Sequence, residues 1–314
     1  MTCTTLKKLN FKCHGEKLLV NRHFFPLNNQ IKCCFFFVGK AWGPPNGLPV
    51  IALHGWLDNA ASFDQLIPLL PRDLRIICID IPGHGYSDHY PLEIQYHYID
   101  CIPAFERVVQ QLNWETFYLI GHSLGGAMAL FYAEIFPEKV KKLVMLDVVR
   151  APITRPETIG RRLRIATTSI LKEEQAIKSG PEKPCSYEVA IKRSIRGSGN
   201  SLDEKACKIL FSRGLAKVGD EFVFRRDRRL RSAPLDYTPK EDQLVLARQV
   251  TAEVLVIKCK DGPYFESSQC YNEQMEALKT KSWRFEYHEV EGNHHAHLTH
   301  PQRMAPLISA FLSS

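Results

Sequence analysis

The stretch "GHSLGG" (121–126) sets a serine in a Gly-x-Ser-x-Gly frame, where an apolar strand-like run ends and a helix-like run begins. A serine on so sharp a turn is held in a strained backbone conformation and stands above the sheet edge. Gly121 and Gly125, two residues to either side, must be small because strand and helix backbones nearly touch there. The helix that follows points its N-terminus at the site, which favours developing negative charge. Ser123 is therefore the candidate nucleophile. Acyl transfer through a serine also needs donors for the oxyanion and a base for the hydroxyl proton. "LHGW" (53–56) supplies a His-Gly turn after an earlier strand, and the backbone N–H groups of Trp56 and Leu124 are the candidate oxyanion hole. His54 reads as a turn residue rather than a base. "GNHHAHLTHP" (292–301) adds His294, His295, His297 and His300. A metal tract would need more than histidines, and no carboxylate or cysteine cluster lies beside these in sequence. Neither metal nor cofactor is expected.

The elements that must position these residues follow an orderly pattern from Pro49 onward. "PVIAL" (49–53), "RIICID" (75–80), "TFYLIG" (116–121) and "KKLVMLDVV" (141–149) read as buried strands. Helical spacing over 62–71, 99–112 and 124–136 alternates with them, which predicts a parallel sheet covered on both faces. The alternation breaks after Asp147. Residues 150–248 read as helical, basic and interrupted by Pro and Gly, with no clear buried strand. It resumes at "EVLVIK" (253–258), a helix near 267–280, the strand "WRFEYHEV" (283–290) and a last helix over 299–312. One sheet domain, 41–149 with 249–314, thus carries a helical insertion of about a hundred residues. Residues 1–40 are weakly patterned.

"LHGWLDNAASFDQLIPLLP" (53–71), "DIPGHGYSD" (80–88) and "GHSLGGAMAL" (121–130) resemble the α/β-hydrolase superfamily. Within it, the Trp-Leu-Asp-Asn after the His-Gly is similar to the serine hydrolase-like proteins. The resemblance runs from about Lys40 to the C-terminus and is weakest in the insertion, where "FVFRRDRRL" (222–230) is similar to a segment of relatives. It implies the α/β-hydrolase fold, a mostly parallel eight-stranded sheet with helices on both faces and a helical cap inserted after strand six. Asp80 and His84 become structural loop residues. The superfamily's spacing between the turn after the last strand and the following proline, here Pro301, makes His294 the implied base, with His295 its rival. The implied acid follows strand seven, where "KCKDG" offers Asp261, or ends strand six, where Asp147 is the alternative. The Trp-Gly that often precedes the strand-seven acid is missing, and many relatives carry a structural Asp at the strand-six position.

The function expected is a serine hydrolase acting on a carboxylic ester or related acyl compound through an acyl-enzyme. Thioesterases and C–C bond hydrolases would share these residues, whereas relatives with an Asp nucleophile are disfavoured by Ser123. The alternative is a ligand-binding or receptor-like protein on the same fold with little turnover. Between Val148 and Lys240 there are 21 Lys/Arg against 11 Asp/Glu, within a chain of net charge +7. A solvated helical surface explains that surplus, with recognition of an anionic substrate as the other reading. Aromatics are not interleaved with the charge, so no nucleic-acid partner is expected. No apolar run reaches the ~20 residues of a membrane helix, and neither a signal peptide nor a peroxisomal C-terminus is seen. The ten cysteines form no C-x-x-C pair, which suits reduced thiols and a cytoplasmic address. One oddity is "CCFFFVG" (33–39), which reads as an insertion before "KAWG". All Cys and Phe codons begin with T, so the run is suspected to be a gene-model artefact of the kind left by a retained intron end.

Overall fold

The computed structural model describes residues 16–27, 30–232 and 236–314, with side chains from Phe37 onward. In chain order the elements are β1 (Glu16–Leu27), β2 (Gln30–Trp42), β3 (Leu48–Leu53), β4 (Leu74–Ile79), α1 (Cys101–Leu112), β5 (Phe117–His122), α2 (Leu124–Ile135) and β6 (Val140–Leu146). Next come α3 (Pro156–Lys178), α4 (Tyr187–Gly197), α5 (Glu204–Gly214), β7 (Leu215–Val218), β8 (Glu221–Phe224) and α6 (Lys240–Ala247). The chain closes with β9 (Glu253–Cys259), α7 (Ser268–Leu278), β10 (Phe285–Val290), α8 (Ala296–Thr299) and α9 (Ala305–Ser313).

Eight strands form one sheet in the order β1-β2-β4-β3-β5-β6-β9-β10. Both pairings of β2 are antiparallel, and all the others are parallel. The central strands are apolar without alternation because both faces are covered. Leu143 to Leu146 and Val254 to Ile257 have no exposed surface, and each such side chain contributes roughly 1.5–3 kcal/mol of burial. On one face α1, α2 and α7 close the core; on the other lie the 60–70 turns and α9. Helix α1 buries Ile102, Phe105, Val108 and Val109 on one stripe, and Asn113 ends it in the left-handed conformation.

Two expected helices are broken by proline. The 62–71 segment forms only 3-10 turns at Ala60–Phe63 and Ile67–Leu69. An α-helix through it would place Pro68 against the carbonyl of Asp64 and leave that carbonyl without its donor. The C-terminal helix is likewise divided, with Pro301 stopping α8 and Pro306 in the first turn of α9.

The insertion after β6 is helical as expected, but it also contains the hairpin β7–β8. Its two-residue turn, Gly219-Asp220, has Gly219 at φ +62°, the conformation such turns require. Helices α4 and α5 enclose a small core of their own, including Ala190, Cys207, Leu210 and Phe211. The buried Arg213–Asp80 ion pair ties this cap to the sheet. Arg229 does the same by donating to the carbonyls of Tyr90, Pro91, Leu92 and Ile94. Ala247 of α6 packs into the sheet's core.

The sheet begins earlier than residue 41. Strand β2 carries the backbone of Cys33–Gly39, and Phe37 and Val38 at the end of that run are buried. Residues 1–15 and the side chains before Phe37, on which most of the suspected artefact falls, lie outside the described residues. No helix among the described residues is long and apolar enough to cross a membrane.

Candidate active site

Ser123 sits between β5 and α2 at φ +51° and ψ −119°, a region that costs energy for any residue with a Cβ. The surrounding glycines permit it. A Cβ on Gly121 would stand 2.4 Å from Gly126 Cα, and one on Gly125 would stand 2.2 Å from the Leu53 carbonyl oxygen. Leu124 opens α2, so its N–H has no partner within the helix. Gly55 packs against the same turn, since a Cβ there would lie 3.3 Å from Ser123 Cβ. That contact brings Trp56 beside Ser123, and Trp56, Ser123 and Leu124 line one cavity.

His294, in the loop after β10, reaches Ser123 directly. Its Nε2 is 2.8 Å from Ser123 Oγ, and its Nδ1 is 2.6 Å from Asp147 Oδ2. Facing a carboxylate, Nδ1 carries the proton, which leaves Nε2 as the acceptor toward the serine. Asp147 follows β6 at φ +52° and is buried. Its backbone N–H donates to the Ile257 carbonyl at 2.7 Å. Its Oδ1 accepts from the Cys259 N–H at 2.9 Å and from the ammonium of Lys258, which is itself buried.

Of the two candidate acids, the fold therefore brings Asp147 to the imidazole and not Asp261. Asp261 is exposed; its N–H donates to Gly292, and its side chain makes no hydrogen bond among the described residues. The reason is the turn after β9, which points Asp261 outward while Gly262 packs on Asp147. A Cβ at Gly262 would lie 2.2 Å from Asp147 Oδ2.

The remaining sequence candidates have structural partners. His54 donates to the Gly55 carbonyl (2.8 Å) and accepts from the Ile81 N–H (3.0 Å), and burial lowers its pKa. His84 donates to the Pro82 carbonyl (3.0 Å) and accepts from the Leu57 N–H (3.2 Å), and burial pushes its pKa down to about 3. Asp80 accepts from the N–H groups of Ala60 and Tyr86 and from Arg213. In the histidine tract, His295 Nδ1 lies 2.6 Å from Ser201 Oγ and His297 Nε2 lies 2.8 Å from Ser62 Oγ. Burial pushes the His297 pKa down to about 3 as well. His300 is exposed.

Two cavities meet at Ser123. The larger, about 450 Å³, lies under the cap and is lined by Trp56, Ser123, Phe265 and His294 from the core, with Arg193 and Arg226 from the cap. The smaller, about 230 Å³, runs past Leu124 toward Tyr98 and Arg150. The guanidinium of Arg226 lies 4.2 Å from the centre of the Phe224 ring. It makes no hydrogen bond or ion pair among the described residues, and its Nε is fully buried. Burial, with Arg231 nearby, pushes its pKa down to about 10. Arg226 was missed as a site residue in the sequence because nothing separates it from the other arginines of "FRRDRR". His122 and Asp58, which also line the larger cavity, were missed because their motifs pointed to neighbouring residues.

Comparison with known proteins agrees with this architecture. The alpha/beta hydrolase fold family matches residues 49–168. A probable serine hydrolase of Drosophila melanogaster is 39% identical over 279 residues, covering 87% of this chain and 83% of the relative. The chain belongs to the serine hydrolase-like family. The human serine hydrolase-like protein 2 is 37% identical, covering 87% of this chain and 89% of the relative. Among solved structures, a hypothetical protein from Pseudomonas aeruginosa PAO1 superposes with a TM-score of 0.78 at 30% identity, covering 94% of this chain and 100% of its own. Members of this family are hydrolases by name and fold, and the cavities beneath the cap suit a small-molecule substrate.

Proposed function

We propose that the protein is a serine hydrolase that cleaves a carboxylic ester or related acyl compound through an acyl-enzyme. The observation that carries this reading is the line Ser123 Oγ–His294 Nε2–Asp147 Oδ2, with separations of 2.8 and 2.6 Å. Ser123 Oγ attacks the acyl carbon while His294 Nε2 takes its proton. Asp147 keeps the ring oriented through Nδ1–H and stabilises the imidazolium that forms. The carbonyl oxygen becomes an oxyanion and accepts from the N–H groups of Trp56 and Leu124. Collapse expels the alcohol, which leaves with the proton from His294. A water then gives its proton to His294 and attacks the acyl-enzyme, releasing the carboxylic acid and restoring Ser123.

The same reading gives the substrate an anionic group. Arg193 and Arg226 line the larger cavity, and Asp58 is the one carboxylate among its described lining residues. Arg226 is partly buried with its Nε sealed from solvent and unpaired, which is costly, and a carboxylate or phosphate on the substrate would relieve it by a bidentate pair. Binding energy gained there would position the acyl group at Ser123.

A fluorophosphonate probe tests the chemistry without knowledge of the substrate. Wild-type protein labels, and labelling is lost in Ser123→Ala and in His294→Ala. A wild type that does not label would sink the hydrolase reading in favour of a protein that captures ligands on a hydrolase fold.

A further inference from the structure

Beside Ser123, the larger cavity's wall contains a second polar cluster that the proposed chemistry does not use. Asp58 comes from the loop after β3, His122 is the last residue of β5, and His295 follows the last strand. All three are buried. Asp58 Oδ2 is 3.4 Å from His295 Nε2 and 3.7 Å from His122 Nδ1, and the three donor atoms lie within 4.8 Å of one another.

The protons on these groups can be placed from their partners. His122 Nε2 faces the His294 carbonyl oxygen at 2.8 Å. That oxygen only accepts, so Nε2 holds the proton and Nδ1 is a bare lone pair. Nδ1 is buried and has no hydrogen-bond partner. Gly55 leaves it uncovered, since a Cβ there would stand 2.7 Å from Nδ1. The Ser201 hydroxyl donates to the Ser198 carbonyl at 2.7 Å, so its oxygen accepts from His295 Nδ1–H. In the neutral ring His295 Nε2 is then also a bare lone pair. The carboxylate oxygen Oδ2 of Asp58 faces both of these nitrogens. Two imidazole lone pairs and a carboxylate converge on one point. A proton on His295 would satisfy Asp58 and leave His122 Nδ1 orphaned, whereas a cation at the centre satisfies all three.

We propose that Asp58, His122 and His295 form a binding site for a divalent transition-metal ion of the zinc type, set in the wall of the cavity next to Ser123. The spacings suit it, because a tetrahedral ion bound at about 2.0–2.1 Å separates its ligand atoms by roughly 3.3 Å. Two imidazoles and one carboxylate are a donor set that zinc accepts. The outer partners that such sites use are in place: Ser201 and the His294 carbonyl fix the two ring tautomers, and Ser62 Oγ lies 3.2 Å from Asp58 Oδ2. Cavity access leaves a further coordination position for water or a substrate oxygen. His122 adjoins Ser123 and His295 adjoins His294. The His122 and His294 rings are 4.6 Å apart, so the ion would sit close to the proposed base.

Co²⁺ titration of chelator-washed Ser123→Ala protein tests the site by its visible spectrum, independently of whether Ser123 is a nucleophile. The expected result is one Co²⁺ per chain with the intense d–d bands of tetrahedral coordination. Asp58→Asn and His295→Gln should each weaken binding by more than the ~10–100-fold that loss of an outer partner costs. His300→Gln, in the exposed part of the same tract, should bind as the parent does. Should either ligand variant fail to fold by circular dichroism, X-ray absorption of the cobalt-loaded parent decides through its count of two imidazoles. No stoichiometric binding, or binding unchanged in folded Asp58→Asn and His295→Gln, or a spectrum without two imidazoles, would overturn the site.

Discussion

Replacing Asp147 by Asn tests the hydrogen-bonded line at a single atom, and the structure dictates how the amide must orient. Oδ1 of Asp147 receives two donors, the Cys259 N–H and the Lys258 ammonium, while Oδ2 faces His294 Nδ1. In the variant the amide oxygen stays with the two donors, and the NH₂ turns to the ring. His294 must then accept at Nδ1 and carry its proton on Nε2, where it cannot take the proton of Ser123. An Asp→Asn change at a serine protease's triad acid, which forces the same wrong tautomer, lowers kcat by ~10⁴. The loss expected here is of that order, or about 5.5 kcal/mol of transition-state stabilisation. The variant also strips Lys258 of its counter-charge, and breaking a buried pair costs roughly 3–5 kcal/mol of stability. Asp147→Asn with Lys258→Met removes both charges; it should recover much of the stability and none of the activity. The assay is the second-order rate of fluorophosphonate labelling, with folding followed by circular dichroism. Asp261→Asn serves as the control and should label within about twofold of wild type, since its side chain is exposed and unbonded. Folded Asp147→Asn that labels within about tenfold of wild type, or Asp261→Asn that falls as far as Asp147→Asn, would refute the reasoning.

Arg226→Gln should lower kcat/KM for an anionic ester by roughly 10–100-fold relative to its uncharged isostere, the equivalent of one charged hydrogen bond; equal losses on the two esters would remove the anion reading. Gly125→Ala drives a Cβ to 2.2 Å from the Leu53 carbonyl oxygen and should cost several kcal/mol. Thermal unfolding reads it, and a wild-type Tm would contradict the close approach. Stability should fall with pH below 6.5, because His84 stays neutral in the fold down to about 3 while the unfolded chain protonates at about 6.5. Its depressed pKa means that stability is full above pH 6.5 and is lost as pH falls toward 3, at about 1.4 kcal/mol per unit. Urea unfolding at pH 7 and pH 5 should therefore differ by about 2 kcal/mol from this residue, and His84→Gln should flatten the slope by one proton; an unchanged slope would contradict it.

The parallel strands were legible because burial on both faces leaves runs such as "RIICID" and "EVLVIK" with no polar interruption. The serine turn was legible because its glycines answer a steric demand within six residues. The cap hairpin was harder: "VGDEFVF" carries its turn signal at Gly219, but each strand is only four residues long. The helix expected over 62–71 failed because the spacing of its apolar residues was weighed above Pro68. At the site, Asp58 illustrates the limit. It lies 237 positions from His295, and the absence of a carboxylate near the histidine tract in sequence said nothing about the loop after β3 that folds against it. Arg226 was invisible for another reason, since only packing separates an arginine paired at the surface from one left unpaired in a cavity.

The placement of Asp147 against the His294 ring explains a piece of sequence that otherwise looks wasted. "IKCKDG" (257–262) resembles a segment that ought to deliver an acid from the end of β9, yet each part of it serves Asp147 instead. The Ile257 carbonyl receives the Asp147 N–H and holds the residue in its positive-φ turn. Lys258 and the Cys259 N–H occupy Oδ1, which leaves Oδ2 for His294. Gly262 contributes an empty position, without which the carboxylate could not sit where it does. An acid supplied by Asp261 would need none of these: neither the buried lysine beside Asp147 nor a glycine packed on its carboxylate would have a purpose. The buried ammonium is the telling part, because it is costly by itself and becomes tolerable only opposite a carboxylate. Lys258→Met alone leaves the buried Asp147 carboxylate without its partner and should cost roughly 3–5 kcal/mol of stability, read by thermal unfolding. A wild-type Tm in that variant would show that the Asp147 carboxylate does not need the ammonium.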